Sequence, residues 1–373
     1  CAGHGATAAP PPCLSSNPRS SPAVAPPKTM INLLDYTLPE LTDWMQNELG
    51  EPKFRAVQVW QWIWQKMARD FDAMTNVSKA CRERLAQCAE IRWPEIVTVE
   101  QSSDDTTKFL LRLQDGAEVE TVLIPSDSRE GVRRWTQCLS SQVGCAMACT
   151  FCSTGTMGFE RNMTMGEILG QILVAREHLG DTRPDWPVLR NLVFMGMGEP
   201  LLNLKNVMRA LESLNNDKGL NFSPRRITVS TCGIVPRMRE LADKKLQITL
   251  ALSLHASNQE KRLQLMPVAN KYDIKEAVDA CRYYFEQTGR RITFEYSLVA
   301  GVNDTAEDAA ELAELVRGIN CHINLIPVNP IKERSYRQPD DGAVHAFQKK
   351  LEKNGLTVTV RREMGRDIDG ACG

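Results

Sequence analysis

"GCAMACTFCSTG", Gly144 to Gly155, sets three cysteines at C-x3-C-x2-C spacing. A closed structural zinc site is tetrahedral and usually draws its four ligands as two separated pairs, and no second pair follows here. Three thiolates also suit a cubane 4Fe-4S cluster, one at each of three iron corners, with the fourth iron left open to a substrate. Both metal readings stand on the spacing alone, and the missing fourth ligand favours iron–sulfur.

Working outward from this stretch, strand-like and helix-like segments alternate from Cys138 onward. The strand candidates are "CLSSQVG", "LRNLVFMG", "RRITVSTCG", "QITLALSLHA", "RRITFEYSLVAG" and "HINLIPVNPI". Helical runs such as "TMGEILGQILVAREHLG" and "TAEDAAELAELVRG" lie between them. Six such units predict an α/β fold in which parallel strands with crossover helices curl into an incomplete barrel. Functional residues then gather at the strand C-termini, and the cysteine loop follows the first strand.

Upstream, "TKFLLRL" and "AEVETVLIP" flank a Gln-Asp-Gly turn and predict a β-hairpin, with Glu118 and Glu120 on its second strand. Leu38 to about Ile91 reads as a small helical unit. Its Trp60, Trp62 and Trp64, interleaved with basic residues, suit either a core or a platform that stacks on nucleic-acid bases. Residues 1–29 hold seven prolines among Ala and Ser and show no periodic apolar pattern, so we expect disorder, with Met30 the natural start. The predicted organisation is a disordered segment over 1–29, a helical accessory and RNA-binding domain over 30–91, a β-hairpin region over 92–130 and a catalytic domain over 131–373.

The chain is long enough for a large core, at 373 residues with 42% hydrophobic content. Its net charge of −1 provides no general field toward nucleic acid or membrane, so an RNA partner must be met by local basic patches. No run approaches the roughly 20 apolar residues of a membrane-spanning helix. Twelve scattered cysteines fit a reducing cytoplasm better than a secreted disulfide scaffold. Basic pairs at Arg133-Arg134, Arg225-Arg226, Arg290-Arg291 and Arg361-Arg362 suit phosphate contact as well as plain solvated surface, and no single RNA-contacting residue stands out.

The cysteine triplet followed by "GMGEP" after the second strand resembles the radical S-adenosylmethionine (SAM) superfamily. Together with "SSQVGCAMACTFCSTG", "GMGEPLLN", "VSTCG", "LSLHA", "NLIPVNP" and the terminal "GRDIDGACG", it is similar to the dual-specificity RNA adenine-C2 methyltransferases, from Met30 to the end of the chain. Chains of that family continue a few residues beyond "ACG", which leaves a trimmed tail as the expectation here.

The resemblance implies a partial (βα)6 radical SAM barrel with a 4Fe-4S cluster on Cys145, Cys149 and Cys152. It implies SAM contacts from Gly198, Glu199, Ser230, Ser253, Leu254, His255 and Asn329. Cys372 is implied as a methyl carrier, Cys138 as the second catalytic thiol and Glu120 as a proton acceptor. The implied substrates are 23S rRNA and tRNA, methylated at C2 of adenosine by a cytoplasmic monomer that receives electrons from a flavodoxin-type donor. Two alternatives accompany this reading: a C8-specific 23S rRNA adenine methyltransferase, and a non-catalytic metal-binding module that binds RNA.

Overall fold

The computed structural model describes residues 30–127, 131–181, 188–329 and 335–370. The predicted disorder of residues 1–29 and the carrier cysteine Cys372 lie outside the described residues.

The chain opens with three helices, α1 (Leu38–Leu49), α2 (Lys53–Trp64) and α3 (Lys79–Cys88). Thr37 and Glu40 form a reciprocal capping box at the start of α1, which ends at Gly50 in the left-handed conformation. Trp60 and Trp64, one turn apart on α2, are wholly buried with tilted rings 5.4 Å between centroids. Trp62, partly buried, donates its indole N–H to Asn76 Oδ1. The tryptophans therefore serve as core, and Trp60 and Trp64 expose no stacking platform.

One ten-stranded sheet follows. Its antiparallel part is β1 (Glu95–Gln101), β2 (Thr107–Arg112) and β3 (Glu118–Asp127), which pairs with β4 (Arg133–Cys138). The predicted hairpin is β2–β3, and β1 adds a strand at the outer edge. After β4 come two short antiparallel strands outside the sheet, β5 (Gln142–Gly144) and β6 (Phe159–Asn162). Helix α4 (Met165–His178) then crosses to β7 (Leu189–Phe194), and α5 (Leu204–Asn215) to β8 (Ile227–Thr231). Helix α6 (Val235–Asp243) leads to β9 (Thr249–Ser253), and α7 (Gln259–Leu265) and α8 (Ile274–Thr288) to β10 (Ile292–Leu298). Helix α9 (Ala306–Leu315) leads to β11 (Cys321–Pro327), and α10 (Asp341–Lys353) to β12 (Thr357–Val360).

The strand order is β12-β11-β10-β9-β8-β7-β4-β3-β2-β1, with every pairing from β4 to β12 parallel. The outermost strands do not pair with each other, consistent with the expected partial barrel. Two details correct the sequence reading. The first parallel strand ends at Cys138 instead of spanning Cys138–Gly144, because the chain is drawn out of the sheet there. Ser140 N–H donates to Gln171 Oε1, and the N–H groups of Ser141 and Gln142 both donate to Met197 O. Beyond the six expected parallel strands stands a seventh, β12.

Helix α4 is buried nearly all round and joins the amino-terminal helices to the sheet. Asp35 Oδ1 accepts the Gly166 N–H at its first turn, and Arg176 donates to Trp64 O at 3.1 Å.

Candidate active site

The triplet sits in the loop between β5 and β6. Gly144 enters it at φ 71°, and a side chain there would place Cβ 1.9 Å from Gly158 O, so only glycine fits. Cys145 N–H closes the loop onto Gly158 O at 2.7 Å. Cys152 N–H turns back to Cys149 O at 3.2 Å, and Thr150 N–H reaches across to Leu265 O on α7 at 2.9 Å.

All three thiols are partly buried. Burial pushes Cys145 up to about 11 and Cys149 higher still, and the neighbouring thiols of the triplet add to the rise. Thiolates crowded this way need a cationic core to form. Three soft sulfur donors in one loop, without the second pair that a closed zinc site draws on, suit three corners of an iron–sulfur cluster.

Beside the loop, the chain after β7 turns through Gly198 at φ 100°, where a Cβ would lie 2.5 Å from that of Gln142. Glu199 follows, 3% exposed, its N–H donating to Gln142 Oε1 at 2.8 Å. Its two oxygens accept from Leu201 N–H at 3.0 Å and Cys232 N–H at 2.7 Å. Burial raises the pKa of this carboxyl, and those amide bonds pull against the rise.

At the end of β8, Ser230 is buried, and its Oγ lies 3.4 Å from Ser253 Oγ at the end of β9. Leu254 and His255 continue from β9, and both donate their N–H to Glu295 O. His255 holds a left-handed backbone, φ 55°, and its ring packs 4.6 Å from that of Phe151 in the cysteine loop. Burial, reinforced by the Arg262 charge, lowers its pKa to about 3. Its Nδ1 accepts Ser297 N–H at 2.9 Å, so the neutral ring carries its proton on Nε2.

Cys138, partly buried, ends β4, and its carbonyl accepts Thr121 Oγ1–H at 2.7 Å. Glu120 stands on β3 with its carboxylate facing Lys108 Nζ at 3.6 Å. Its backbone ties it to the site, since its N–H points to Met197 Sδ at 3.4 Å and its carbonyl accepts Ser140 Oγ–H. Asn329 lies just past β11, in a cavity of about 310 Å³ that Arg361, Arg362 and His345 also line. The predicted residues among those described thus stand at strand ends or in the loops that follow them, except Glu120, within an antiparallel strand.

Sequence reasoning missed Gln142, which bridges the cysteine loop's entry to Glu199, and two buried charges. Glu295, 6% exposed on β10, accepts Asn324 Nδ2–H at 2.7 Å, and Asn324 in turn accepts Thr359 Oγ1–H at 3.1 Å. Arg262, on α7, is fully buried. A glutamate inside "TFEYSL" was the one available signal for Glu295.

Residues 31–91 match the family described as "Ribosomal RNA large subunit methyltransferase N-terminal domain", and residues 139–316 match the radical SAM superfamily. The chain is 60% identical over 344 residues to the dual-specificity RNA methyltransferase RlmN of Nitratidesulfovibrio vulgaris, covering 92% of this chain and 94% of that one. It is 53% identical to the protein of the same name from Lawsonia intracellularis, covering 92% and 96%. The crystal structure of a radical SAM methyltransferase from Sphaerobacter thermophilus superposes with a TM-score of 0.85 at 42% identity, over 92% of this chain and 98% of that one. With relatives this similar along nearly its whole length, and with the triplet, the Gly198–Glu199 turn and the strand-end hydroxyls gathered at one edge of a parallel sheet, the chain belongs to the RlmN family of radical SAM dual-specificity RNA methyltransferases.

Proposed function

We propose that this enzyme methylates C2 of adenosine in 23S rRNA and tRNA, with Cys372 as methyl carrier and Cys138 as the releasing thiol. Residues 30–91 serve as the RNA-binding accessory unit, 92–130 as a hairpin extension and 131–373 as the catalytic domain. The observation that carries the reading is the amino-terminal helical unit, which matches the ribosomal RNA large subunit methyltransferase N-terminal domain over residues 31–91, since the C8 alternative would share the cysteines.

Cys145, Cys149 and Cys152 would hold the cluster, which when bound would supply the electron for splitting SAM into methionine and a 5'-deoxyadenosyl radical. Gly198 lets the chain turn closely over Gln142 at the SAM site, and Glu199 presents a fixed carboxylate to the SAM ammonium group. Ser230, Ser253, Leu254, His255 and Asn329 complete the SAM contacts. His255, neutral and with Nδ1 already bonded, offers one N–H donor and adds no charge.

Adenine C2 lies between two ring nitrogens and is electron-poor, so it cannot attack an electrophilic methyl group as an amine does. A carbon radical generated on the methyl of Cys372 can add there. Glu120 accepts the C2 proton and one electron passes from the adduct back to the enzyme's electron-transfer chain. The Cys138 thiolate then attacks the Cys372 sulfur, so that the disulfide forms as the sulfur–carbon link to RNA breaks, and the released carbon keeps the bonding pair and takes a proton to become the methyl group. An adenine within folded RNA must be extruded to reach this site.

Mass spectrometry of nucleosides from RNA treated with the reconstituted enzyme tests the assignment. We expect 2-methyladenosine. Finding 8-methyladenosine would move the chain to the C8 reading, and RNA left unmodified by an enzyme that cleaves SAM would refute both.

A further inference from the structure

Arg262 has no part in the reaction above, yet its guanidinium is completely buried beside the cysteine loop. Nη2 donates to Cys232 O at 2.6 Å and Nε to Leu254 O at 3.4 Å, with Ser253 O and Tyr272 O at 3.5 Å. Every partner is a backbone carbonyl, and among the described residues no carboxylate forms an ion pair with it. Carbonyl dipoles solvate a cation but leave its unit charge in place, and in a low-dielectric interior that field carries far. Its charge bears on the thiols of Cys232, Cys149 and Cys281 and on the Asp273 carboxylate.

The helix that carries Arg262 is bolted to the cysteine loop, because Leu265 O accepts both the N–H and the Oγ1–H of Thr150, the residue after Cys149. Glu199 grips the other side of the residue that Arg262 grips, accepting Cys232 N–H while Arg262 donates to Cys232 O. The cation and the carboxylate thus bracket one residue at the end of β8, and the same cation spans to the end of β9.

We infer that Arg262 is a fixed internal counter-charge for the thiolate-bound cluster, which raises the cluster's reduction potential while joining the ends of β8 and β9. The inference rests on the reading of Cys145, Cys149 and Cys152 as cluster ligands. Each electron added makes a thiolate-bound cluster more negative, so a nearby positive charge favours the reduced form. Removing that charge must lower the potential. A lysine keeps the charge but lacks the planar fork that reaches several carbonyls at once, and it can lose its proton when buried.

The test is a redox titration, followed by electron paramagnetic resonance, of the full chain reconstituted without oxygen, as wild type and as Arg262→Gln, Arg262→Met and Arg262→Lys. At a fixed potential we expect the ratio of reduced to oxidised cluster to fall about tenfold in the Gln and Met variants, about 59 mV for a one-electron couple. The Lys variant should stay near wild type at neutral pH and fall toward the Gln value as pH rises, while wild type stays flat. Arg237→Gln, at an exposed arginine, should change nothing. Should the neutral variants fail to fold or to take up iron, the pH dependence of the Lys variant decides alone. A potential unchanged in Arg262→Gln, or a flat Lys variant, would overturn the counter-charge. A wild-type chain that takes up no iron would sink the cysteine assignment, and this inference with it.

Discussion

In the loop after β7, Glu199 is buried and both its oxygens accept backbone N–H groups, whereas Glu120, on antiparallel β3, is half exposed and faces Lys108 across 3.6 Å. The contrast extends to the regions around them. In and around the parallel strands, Glu199, Glu295, His255 and Arg262 are withdrawn from water and held by fixed dipoles. On the antiparallel extension the charges meet each other at the surface, as in Arg112–Glu118 and Arg133–Asp105. Fixed dipoles in a dry site do not reorganise as charge develops, which is what electrostatic catalysis requires. Surface pairs move with their side chains and are screened by salt. The parallel end is therefore where substitutions should be felt, and Glu120 is the exception that the proposed chemistry demands.

The largest expected effect is at the cysteine loop. Replacing any one of Cys145, Cys149 or Cys152 by Ala should abolish the cluster and SAM cleavage, read as iron and sulfide per chain after anaerobic reconstitution. Full iron content in all three variants would remove the reason for treating the two regions differently. Next comes Glu120→Gln, which should lower RNA methylation by about 10²–10⁴-fold as expected for a lost proton acceptor, while SAM cleavage and cluster content hold. Methylation at the wild-type rate would return Glu120 to its surface role and make the contrast complete.

His255 sharpens the comparison through pH. Its folded pKa, about 3, lies below the ordinary 6.5, so the fold favours the neutral ring. That contribution is complete above about pH 6.5 and is lost as pH falls toward 3, with a slope of up to about 1.4 kcal/mol per pH unit. Denaturant titrations between pH 7 and 4 should show this slope in the wild type and a shallower one in His255→Asn. Identical slopes would mean that the ring is not held neutral by burial. The smallest effect belongs to the extension, where Arg112→Ala should change stability by no more than about 0.5 kcal/mol. A larger loss in the same titration would show that the surface pairs are not interchangeable decoration.

The ease of reading these regions from sequence differed for physical reasons. Cys145, Cys149 and Cys152 were legible as candidate ligands because metal chemistry favours such a number and spacing within one loop. The hairpin β2–β3 and the helices α4 and α9 were legible from local periodicity and turn residues. The end of β4 was not, since nothing within "CLSSQVG" marks a stop, and its N–H groups are drawn off by Gln171 and Met197, distant in sequence. Strand β12 is only four residues long, too short for its alternation to be distinctive. Arg262 was invisible because sequence gives an arginine every reason to be exposed, and its burial depends on carbonyls from two strand ends. The assignments of Cys138 and Cys372 came from family resemblance, and no local pattern distinguishes either from an ordinary thiol.

The two thiols carry the central claim, and the Cys138→Ala variant tests it most directly. If Cys372 forms the bond to adenine and Cys138 breaks it, this variant expressed with its natural RNAs should halt after attachment. We predict a denaturant-resistant protein–RNA species that nuclease reduces to a short oligonucleotide on the peptide containing Cys372, and none in the variant lacking both thiols. Free turnover by Cys138→Ala, or a crosslink mapped to any other residue, would contradict the account.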